Sequence, residues 1–489
     1  MTTSRADLPI VIDRAAAIPL TTQVAGQLRD SVTSGLLTAG DRLPSSRDLA
    51  AVLGVSRTVI TGAYLQLFAE GWVEGRHGSG TFVADVMPPR RDDPPVGPPE
   101  PPSRGNPARP ARPPGHGTSR ARGDGSRVID LPAGIPWAAG IEATAWHRAW
   151  RVAGRHPVGE WPDPFGIREL RQELASFLRR SRGLAVTAGQ LLITRGVTSG
   201  LAMLTADLVR PGDLVGVEEP GYPRAREVLA RAGAVVIPCR VDAHGVMPSE
   251  LPDGLRLLYT TPAHQYPLGG RLPVGRRQAL ERWARSRGAV IVEDDYDSEF
   301  RYDVGPLPAL FGLGGDGPGP DVIVYLGTAS KMLTPAVGVG WLAGSASLVA
   351  RLAASRDGLG ERVSEPAQHA MAALLARGDL ERHVRRMRLE YARRRAALVN
   401  GLGEGHFRLL GDTAGMHVVL ELPPGISAAR VAGEALRRGV SVDTLDRYFA
   451  GPVTVQGLIL GYGATSLPQV RTAAAILREV LCGQQQYPP

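Results

Sequence analysis

Hydrophobic positions recur with a helical period in the first part of the chain. Apolar residues follow this spacing over residues 21–34 and again over two shorter segments downstream. Ser45 or Ser46 can cap the first short helix and Gly54 can end it, while Ser56 can cap the second. Two short capped helices in succession predict a helix-turn-helix, although a generic helical bundle would show the same pattern.

An alternating segment follows these helices. The run WVEGRHGSGTFVAD turns at its glycines and predicts a β-hairpin, so that the whole region favours a winged-helix DNA-binding domain. In such a domain the second helix enters the major groove with its N-terminal end leading, so Arg57 and Thr58 would face base edges. Ser56 and Arg47 would meet phosphates. Arg76 and the glycine-rich tip of the hairpin would approach the DNA backbone or the minor groove.

Composition separates the rest of the chain into two parts. Residues 86–127 are crowded with proline, glycine and arginine and predict a linker. From residue 128 onward, apolar runs alternate with amphipathic stretches, which predicts an α/β domain with a mainly parallel sheet covered by helices. The predicted units are a winged-helix domain (12–85), the linker, an α/β domain (128–482) and a disordered tail (483–489).

Charge and cysteine content narrow the cellular context. The formal net charge of +8 permits association with nucleic acid without specifying it. Cys239 and Cys482 lie far apart and lack CxxC spacing, so we expect neither a disulfide framework nor a metal site. The chain has no secretion signal and no apolar run long enough for a membrane span, which predicts a cytoplasmic protein with no membrane partner.

The basic residues contain an informative exception. Among 56 lysines and arginines, Lys331 is the only lysine. It is either a stray surface residue in an arginine-biased chain or a residue whose chemistry arginine cannot supply. A lysine amine can lose its proton on burial and condense with an aldehyde, whereas arginine holds its proton too tightly to act as a nucleophile.

The surroundings of Lys331 favour the chemical interpretation. Thr328 and Ser330 flank it at the end of a predicted strand, and hydroxyls beside an amine suit a phosphorylated aldehyde. Asp294 ends another predicted strand and could pair with a pyridine nitrogen, while Tyr296 could bond the phenolic oxygen of the same ring. Upstream, Val197 and Thr198 lie between a strand and a helix, where an anion can be held.

The N-terminal region resembles the GntR family of winged-helix regulators. The resemblance rests on PLTTQVAGQLRDSVTSGLLTAGDRLPSSRDLAAVLGVSRTVITGAYLQL followed by GSGTFV. It implies a set of DNA-contacting or supporting residues, of which the tyrosine would look the same as a core residue: Arg47, Ser56, Arg57, Thr58, Tyr64, Arg76 and Gly78.

The C-terminal region resembles the fold-type I aminotransferases, and the motif order GVTSG, EEPGYPRAR, TPAHQYPLG, EDDYDSEFRYD and GTASK resembles the MocR family. That family joins a winged-helix domain to an aminotransferase-like α/β domain that binds pyridoxal 5'-phosphate (PLP). The resemblance implies that Lys331 forms an imine with the cofactor and that Tyr222 stacks on its ring. The cofactor-binding residues it implies are Lys331, Asp294, Tyr296, Tyr222, Val197, Thr198, His264, Thr328 and Ser330.

The same resemblance implies partners and one departure. Arg224 and Arg447 match the arginines that grip an effector carboxylate, and the fold implies a homodimer that binds two operator half-sites on double-stranded DNA. A small amine, an amino acid or PLP itself would be the effector. The arginine that usually follows the lysine by seven residues and binds phosphate is replaced by Gly338, which predicts weaker cofactor binding unless another group compensates.

Three functions remain open from the sequence. The first is a transcriptional regulator that senses its effector through the PLP-binding domain. The second is an active aminotransferase whose DNA-binding domain controls its own gene, because Lys331, Asp294 and Tyr296 would allow half-reactions. The third, motivated by Gly338, is a DNA-binding protein with a cofactor-free large domain.

Overall fold

A computed structural model gives the fold of the chain. The structure describes residues 8, 10–16, 18–76, 80–86, 128–157, 159, 161–302, 307–313, 322–356, 358–405, 407–411 and 413–483. The predicted linker lies outside these ranges apart from Val86, as does the predicted tail apart from Gly483.

The N-terminal module consists of three helices and a hairpin. They are α1 (Leu20–Thr33), α2 (Ser46–Leu53), α3 (Arg57–Glu70), β1 (Val73–Arg76) and β2 (Gly80–Val83). Ser45 and Ser56 cap α2 and α3 as expected, because each hydroxyl accepts from the backbone amide three residues on. Gly54 ends α2 in the left-handed conformation (φ +62°), and the two strands pair antiparallel. The tip of the hairpin lies outside the described residues.

The large domain is built on a sheet of eight strands among the described residues, in the order β4-β11-β10-β9-β8-β5-β6-β7. The five strands from β10 to β6 pair in parallel, as predicted, whereas β11 and β7 run antiparallel to their neighbours. The strands are β4 (Leu191–Thr194), β5 (Leu214–Glu219), β6 (Val235–Asp242), β7 (Gly245–Val246), β8 (Leu255–Thr260), β9 (Val290–Asp295), β10 (Ile323–Thr328) and β11 (Gly340–Ala343).

Helices cover both faces of this sheet, and its central strands are apolar because they are buried on both sides. The helices of this part are α4 (Ala143–Ala153), α5 (Arg168–Arg182), α6 (Val197–Leu208), α7 (Pro223–Arg231), α8 (Val274–Arg287), α9 (Ala346–Ser355), α10 (Glu365–Ala376) and α11 (Asp379–Leu402).

The C-terminal part adds a smaller sheet, which has the order β12-β13-β16-β15. Its elements are β12 (Arg408–Leu410), β13 (His417–Glu421), α12 (Ala428–Arg437), β14 (Val440–Ser441), β15 (Asp443–Thr444), β16 (Gly457–Gly461) and α13 (Leu467–Gly483). The first strand of the large domain, β3 (Ile129–Asp130), pairs in parallel with β14. The start of the domain is therefore fastened to the C-terminal part.

The topology gathers the polar strand ends at one edge of the large sheet. Strands β5, β8, β9 and β10 run in the same direction, so Thr260, Asp294 and Thr328 emerge together. Open α/β sheets bind ligands at this edge. Within the described ranges, no helix is long and apolar enough to span a bilayer.

Candidate cofactor site and DNA-binding surface

Lys331 follows β10 and reaches the carboxyl edge of the sheet with its side chain partly buried. Its Nζ donates a hydrogen bond of 2.6 Å to the carbonyl of Gly134. The loss of water around the amine lowers the pKa of Lys331, and the negative charges of Asp297 and Asp294 oppose this effect. A lowered pKa increases the fraction of neutral amine, which is the form that attacks an aldehyde.

Asp294 lies opposite the lysine with one carboxylate oxygen satisfied and one without a partner. The Tyr259 hydroxyl donates to Oδ2, whereas Oδ1 is buried and has no hydrogen bond within the described structure. Burial raises the pKa of Asp294 to about 7, and the hydrogen bond from Tyr259 acts in the opposite direction. A buried oxygen without a donor is costly, so this site fits a protonated ring nitrogen that would donate to it.

Tyr296, His264 and Asp297 form a compact group beside Asp294. Nδ1 of His264 lies 2.9 Å from the Tyr296 hydroxyl and 3.1 Å from each carboxylate oxygen of Asp297. Burial raises the pKa of Tyr296 well above 10, so its phenol stays neutral and able to donate. These contacts hold the Tyr296 ring at the carboxyl end of β9, next to the strand's terminal acids.

Tyr222 precedes α7 and borders the same pocket. Burial raises the pKa of the Tyr222 phenol, as does the charge of Asp294, while a hydrogen bond with Thr198 opposes the rise. Tyr222 therefore lies between the carboxylate expected at the ring nitrogen and the helix expected at the phosphate. An aromatic ring in this position can cover the face of a bound ring.

The N-terminus of α6 forms an anion cradle. Gly196 precedes the helix with φ +137°, and no side chain caps it, so the amides of Val197 and Thr198 have no intrahelical partner. The backbone passes closely here, since a Cβ on Gly340 would lie 2.5 Å from the Gly196 Cα. Thr328 is close by, because a Cβ on Gly196 would lie 3.7 Å from its Oγ1.

The two hydroxyls that precede Lys331 belong to the same cradle. Thr328 Oγ1 donates to Ser330 Oγ at 2.9 Å and accepts from the Ser330 amide at 3.1 Å. Gly338 stands where the family resemblance implies an arginine. It has φ +62°, and among the described residues no atom lies within 4 Å of the position that a Cβ would take. The cradle thus offers amides and hydroxyls, and position 338 adds no charge to it.

The two arginines proposed for an effector carboxylate differ in their surroundings. Arg224 lies close enough to Lys331 for its charge to lower the lysine pKa. Arg447 is paired with Asp443, four residues earlier, and its side chain is 39% exposed. Its neighbour Tyr448 is the residue that enters the site, where its hydroxyl lies 3.3 Å from that of Tyr266.

Sequence reasoning missed four residues of this site. Tyr259 looks like one more apolar position of a buried strand, and Gly134 lies 197 residues before the lysine it contacts. Asp297 is one of several acids in its motif, and Tyr266 is an aromatic residue in a loop whose ring meets Tyr222 and Tyr296 edge to face. Of these four residues, only Asp297 carried a sequence signal, because it belongs to the acidic motif that follows the strand β9.

The predicted DNA-binding residues lie at one end of the helix-turn-helix. Arg47, Ser56, Arg57 and Thr58 are all exposed, and the Arg57 Nε donates to Ser46 at 3.3 Å. The Ser56 hydroxyl is engaged in capping α3. This end of α3 is polar and accessible, as a helix that enters the major groove requires.

Three further residues of the DNA-binding prediction have different positions. Tyr64 lies in the core of the module, where its hydroxyl donates to the Pro44 carbonyl at 2.7 Å and burial raises its pKa. Its position is that of a supporting residue. Arg76 ends β1, but its side chain is not described, and Gly78 lies outside the described residues.

Family models match both parts of the chain. Residues 20–83 match the model of the bacterial regulatory proteins of the gntR family. Residues 129–445, more than half of the chain, match the model of class I and II aminotransferases.

Relatives match over nearly the whole length. The pyridoxine biosynthesis transcriptional regulator PdxR of Corynebacterium glutamicum is 35% identical over 97% of this chain and 99% of its own. The probable rhizopine catabolism regulatory protein MocR of Rhizobium meliloti is 32% identical over 96% of this chain and 95% of its own. Among solved structures, an archaeal alanine:glyoxylate aminotransferase is 26% identical with a TM-score of 0.68, covering 74% of this chain and 92% of its own.

Proposed function

The chain belongs to the MocR family of transcriptional regulators, with a gntR-type DNA-binding domain and a class I and II aminotransferase domain that uses PLP, and on this premise we propose that PLP itself is its signal. One observation carries the proposal: the pocket presents an amine and, among the described residues, a carboxylate oxygen without a hydrogen-bond partner, both suited to PLP, whereas Arg447 pairs with Asp443 at the surface. The similarity to a regulator named for pyridoxine biosynthesis agrees with this choice.

The residues of the pocket fit the cofactor group by group. Lys331 would attach it covalently, Asp294 would accept from the ring nitrogen through Oδ1, and Tyr222 would cover the ring. Tyr296 would donate to the phenolic oxygen, and His264, whose Nδ1 lies 2.9 Å from the Tyr296 hydroxyl, would hold that phenol in place. The anion cradle would hold the phosphate through the amides of Val197 and Thr198 and the hydroxyls of Thr328 and Ser330. When bound, PLP supplies an aldehyde for imine chemistry and a ring that accepts electrons.

The chain's own residues prepare this attachment. Burial lowers the pKa of Lys331, which favours the neutral amine, and the Gly134 carbonyl orients that amine within the pocket. Tyr259 donates to one oxygen of Asp294, so the other oxygen remains as the acceptor. His264 fixes the Tyr296 phenol, which stays protonated and can donate to an anionic oxygen.

The phosphate grip is suited to a sensor. A bidentate arginine on a phosphate contributes roughly 1.5–3 kcal/mol, and position 338 holds glycine in its place. The corresponding loss of affinity is roughly 10- to 150-fold. A receptor reports changes in ligand concentration only when its Kd lies near that concentration, so a moderate affinity serves sensing better than permanent occupancy.

An amino acid is the second candidate effector. Arg224, close to Lys331, could bind a carboxylate and supports it. Such an effector would need PLP in place first, whereas PLP as signal would act alone.

The DNA-binding role defines the remaining partners. We infer that α3 enters the major groove with Arg57 and Thr58 at base edges and that the regulator acts in the cytoplasm as a homodimer on two half-sites. Trp161 is consistent with the dimer, because it is 87% exposed in the single chain and tryptophan is enriched at protein interfaces. Light scattering that gives the mass of one chain at micromolar concentration would contradict the dimer.

The experiment that tests the function is an operator-binding titration with defined ligands. Operator affinity is measured with apo protein, with PLP, and with PLP plus a panel of amines and amino acids, while absorbance follows attachment to Lys331. PLP as signal predicts a shift in affinity with PLP alone. A shift that needs an amino acid would instead support the second candidate, and release of an oxo acid in turnover would support the aminotransferase function.

A further inference from the structure

The last turn of the DNA-reading helix packs against the large domain. Gly71 ends α3 with φ +85°, and a Cβ at this position would lie 3.2 Å from Pro273 Cβ and 3.3 Å from the Val274 amide. Glycine therefore permits both the left-handed turn and the close approach. Val274 is 3% exposed and belongs to the same hydrophobic cluster as Trp72 of the module. A residue of the large domain thus completes the core of the DNA-binding module.

A charge interaction accompanies this packing. Glu70 is 6% exposed and accepts two hydrogen bonds of 2.9 Å from Arg29 within the module. Its charge also reaches Arg277, in the first turn of α8. Burial lowers the pKa of Arg277 to about 10, and the charges of Glu293 and Glu70 oppose that effect. Carboxylates of both domains therefore act electrostatically on Arg277: Glu70 of the module, and Glu293 and Asp295 of the large domain.

Arg277 connects the contact with the loop that carries His264. Its Nε donates to the Leu272 carbonyl at 2.8 Å and its Nη2 to the Pro262 carbonyl at 3.2 Å. Pro262 also accepts from the Leu272 amide at 2.9 Å, which closes the loop at its base. His264, two residues after Pro262, meets Tyr296 in the pocket. Gly71 is therefore linked to the pocket through its approach to Pro273 and Val274, the hydrogen bonds of Arg277, and the segment from Pro262 to His264.

The opposite end of α3 stays clear of this contact. The helix has 14 residues, and a rise of 1.5 Å per residue separates its ends by roughly 21 Å. Arg57 and Thr58 lie at the free end and remain exposed. Contact at Gly71 can therefore orient the DNA-reading end without covering it.

We propose that Pro273, Val274 and Arg277 form a docking surface for the chain's own DNA-binding module, through which loading of the pocket changes operator affinity. The proposal rests on the function proposed above and adds the surface that transmits the signal. A ligand that alters the His264 loop alters the base of that loop, and with it the start of α8 against which the helix rests. Coupling between two sites in one protein typically changes affinity by 5- to 150-fold.

The test compares Val274→Glu with Ser286→Glu in the full-length protein. Both variants add a carboxylate to α8, but Val274 is buried in the contact whereas Ser286 is exposed at the other end of the helix. Operator affinity is measured with and without PLP, and PLP affinity is measured separately by absorbance. We expect Ser286→Glu to keep the PLP-dependent change of the wild type. We expect Val274→Glu to reduce it to less than twofold while PLP still binds.

Two outcomes separate this inference from the proposed function. If the operator affinity of the wild-type protein does not change with PLP, with or without amino acids, both the proposed function and the docking surface are overturned. A wild-type response that Val274→Glu retains in full would overturn the docking surface alone. Val274→Ala, which trims the contact without adding charge, serves if the glutamate variant fails to fold, and hydrogen exchange should then increase at residues 70–76 and 274–277 together.

Discussion

The end of α3 that we propose to read DNA and the candidate cofactor pocket place opposite demands on the chain. Ser56, Arg57 and Thr58 are consecutive, exposed and supported by local capping. In the pocket, Lys331 and its partner Gly134 are 197 residues apart, and one buried oxygen of Asp294 has no donor among the residues that the structure describes. A surface that meets a large polyanion needs accessible charge, whereas a site for a small reactive molecule needs polar groups withdrawn from water. A short segment of sequence is enough to build the exposed surface, whereas the buried pocket requires a sheet that brings distant segments together.

The largest effect is expected at the centre of the pocket. Lys331→Ala removes the only lysine, and with it the side-chain amine of the pocket, so covalent attachment of PLP in the pocket should be lost completely. Absorbance of the protein titrated with PLP measures this, together with mass spectrometry after borohydride reduction. An arginine cannot substitute, so a reduced adduct at any other residue of the large domain in the variant would contradict the assignment of Lys331.

The next effect is expected at the end of α3 that we propose to read DNA. Arg57→Ala should weaken operator binding by roughly 1–3 kcal/mol, or about 5- to 150-fold, and leave PLP binding unchanged. Arg210→Ala, which removes the same charge from an exposed site of the large domain, is the control. If both variants lose the same small amount of affinity, the loss reflects net charge and Arg57 makes no specific contact.

A smaller effect concerns the pH dependence of the large domain. His383 lies behind the lysine loop and hydrogen-bonds the backbone of Met332, while burial and the charge of Arg386 lower its pKa to about 4. The unfolded chain binds this proton near pH 6.5, so folding loses stability as the pH falls from 6.5 to 4. In the His383→Gln variant, the free energy of unfolding should fall by about 1–3 kcal/mol less than in the wild type over this pH range.

Denaturant unfolding of the wild type and His383→Gln between pH 7 and 4 measures this difference. The exposed His244→Gln is the matched control, and its profile should follow the wild type. A His383→Gln profile parallel to the wild type would show that the buried ring does not contribute to acid sensitivity.

The smallest effect separates support from contact within the module. Tyr64→Phe removes the hydrogen bond to the Pro44 carbonyl, which should cost about 1 kcal/mol of stability and lower the melting temperature of the module by several degrees. Operator affinity at low temperature should not change, because the ring lies in the core. A loss of affinity as large as that of Arg57→Ala would place Tyr64 at the DNA instead.

Much of the fold followed from local signals. The serine caps, Gly54 and the alternating hairpin gave the winged helix, and the strands that end in Thr194, Asp295 and Thr328 lie where their apolar runs predicted them. These features depend on contacts within a few residues, so a single sequence is enough to recognise them. The two antiparallel strands β7 and β11 were not predicted, because their direction is set by their neighbours in the sheet.

The sequence by itself determined which chemistry is available: a single lysine, an aspartate at a strand end, and a glycine at position 338. Only the tertiary structure decided which groups are satisfied. In the described part of the chain, Tyr259 donates to one oxygen of Asp294, the other oxygen has no donor, and Arg447 pairs with Asp443. The tertiary structure also brought the end of α3 onto α8. Hydrogen bonds and burial depend on distances between segments remote in the chain, and those distances exist only once the sheet has formed.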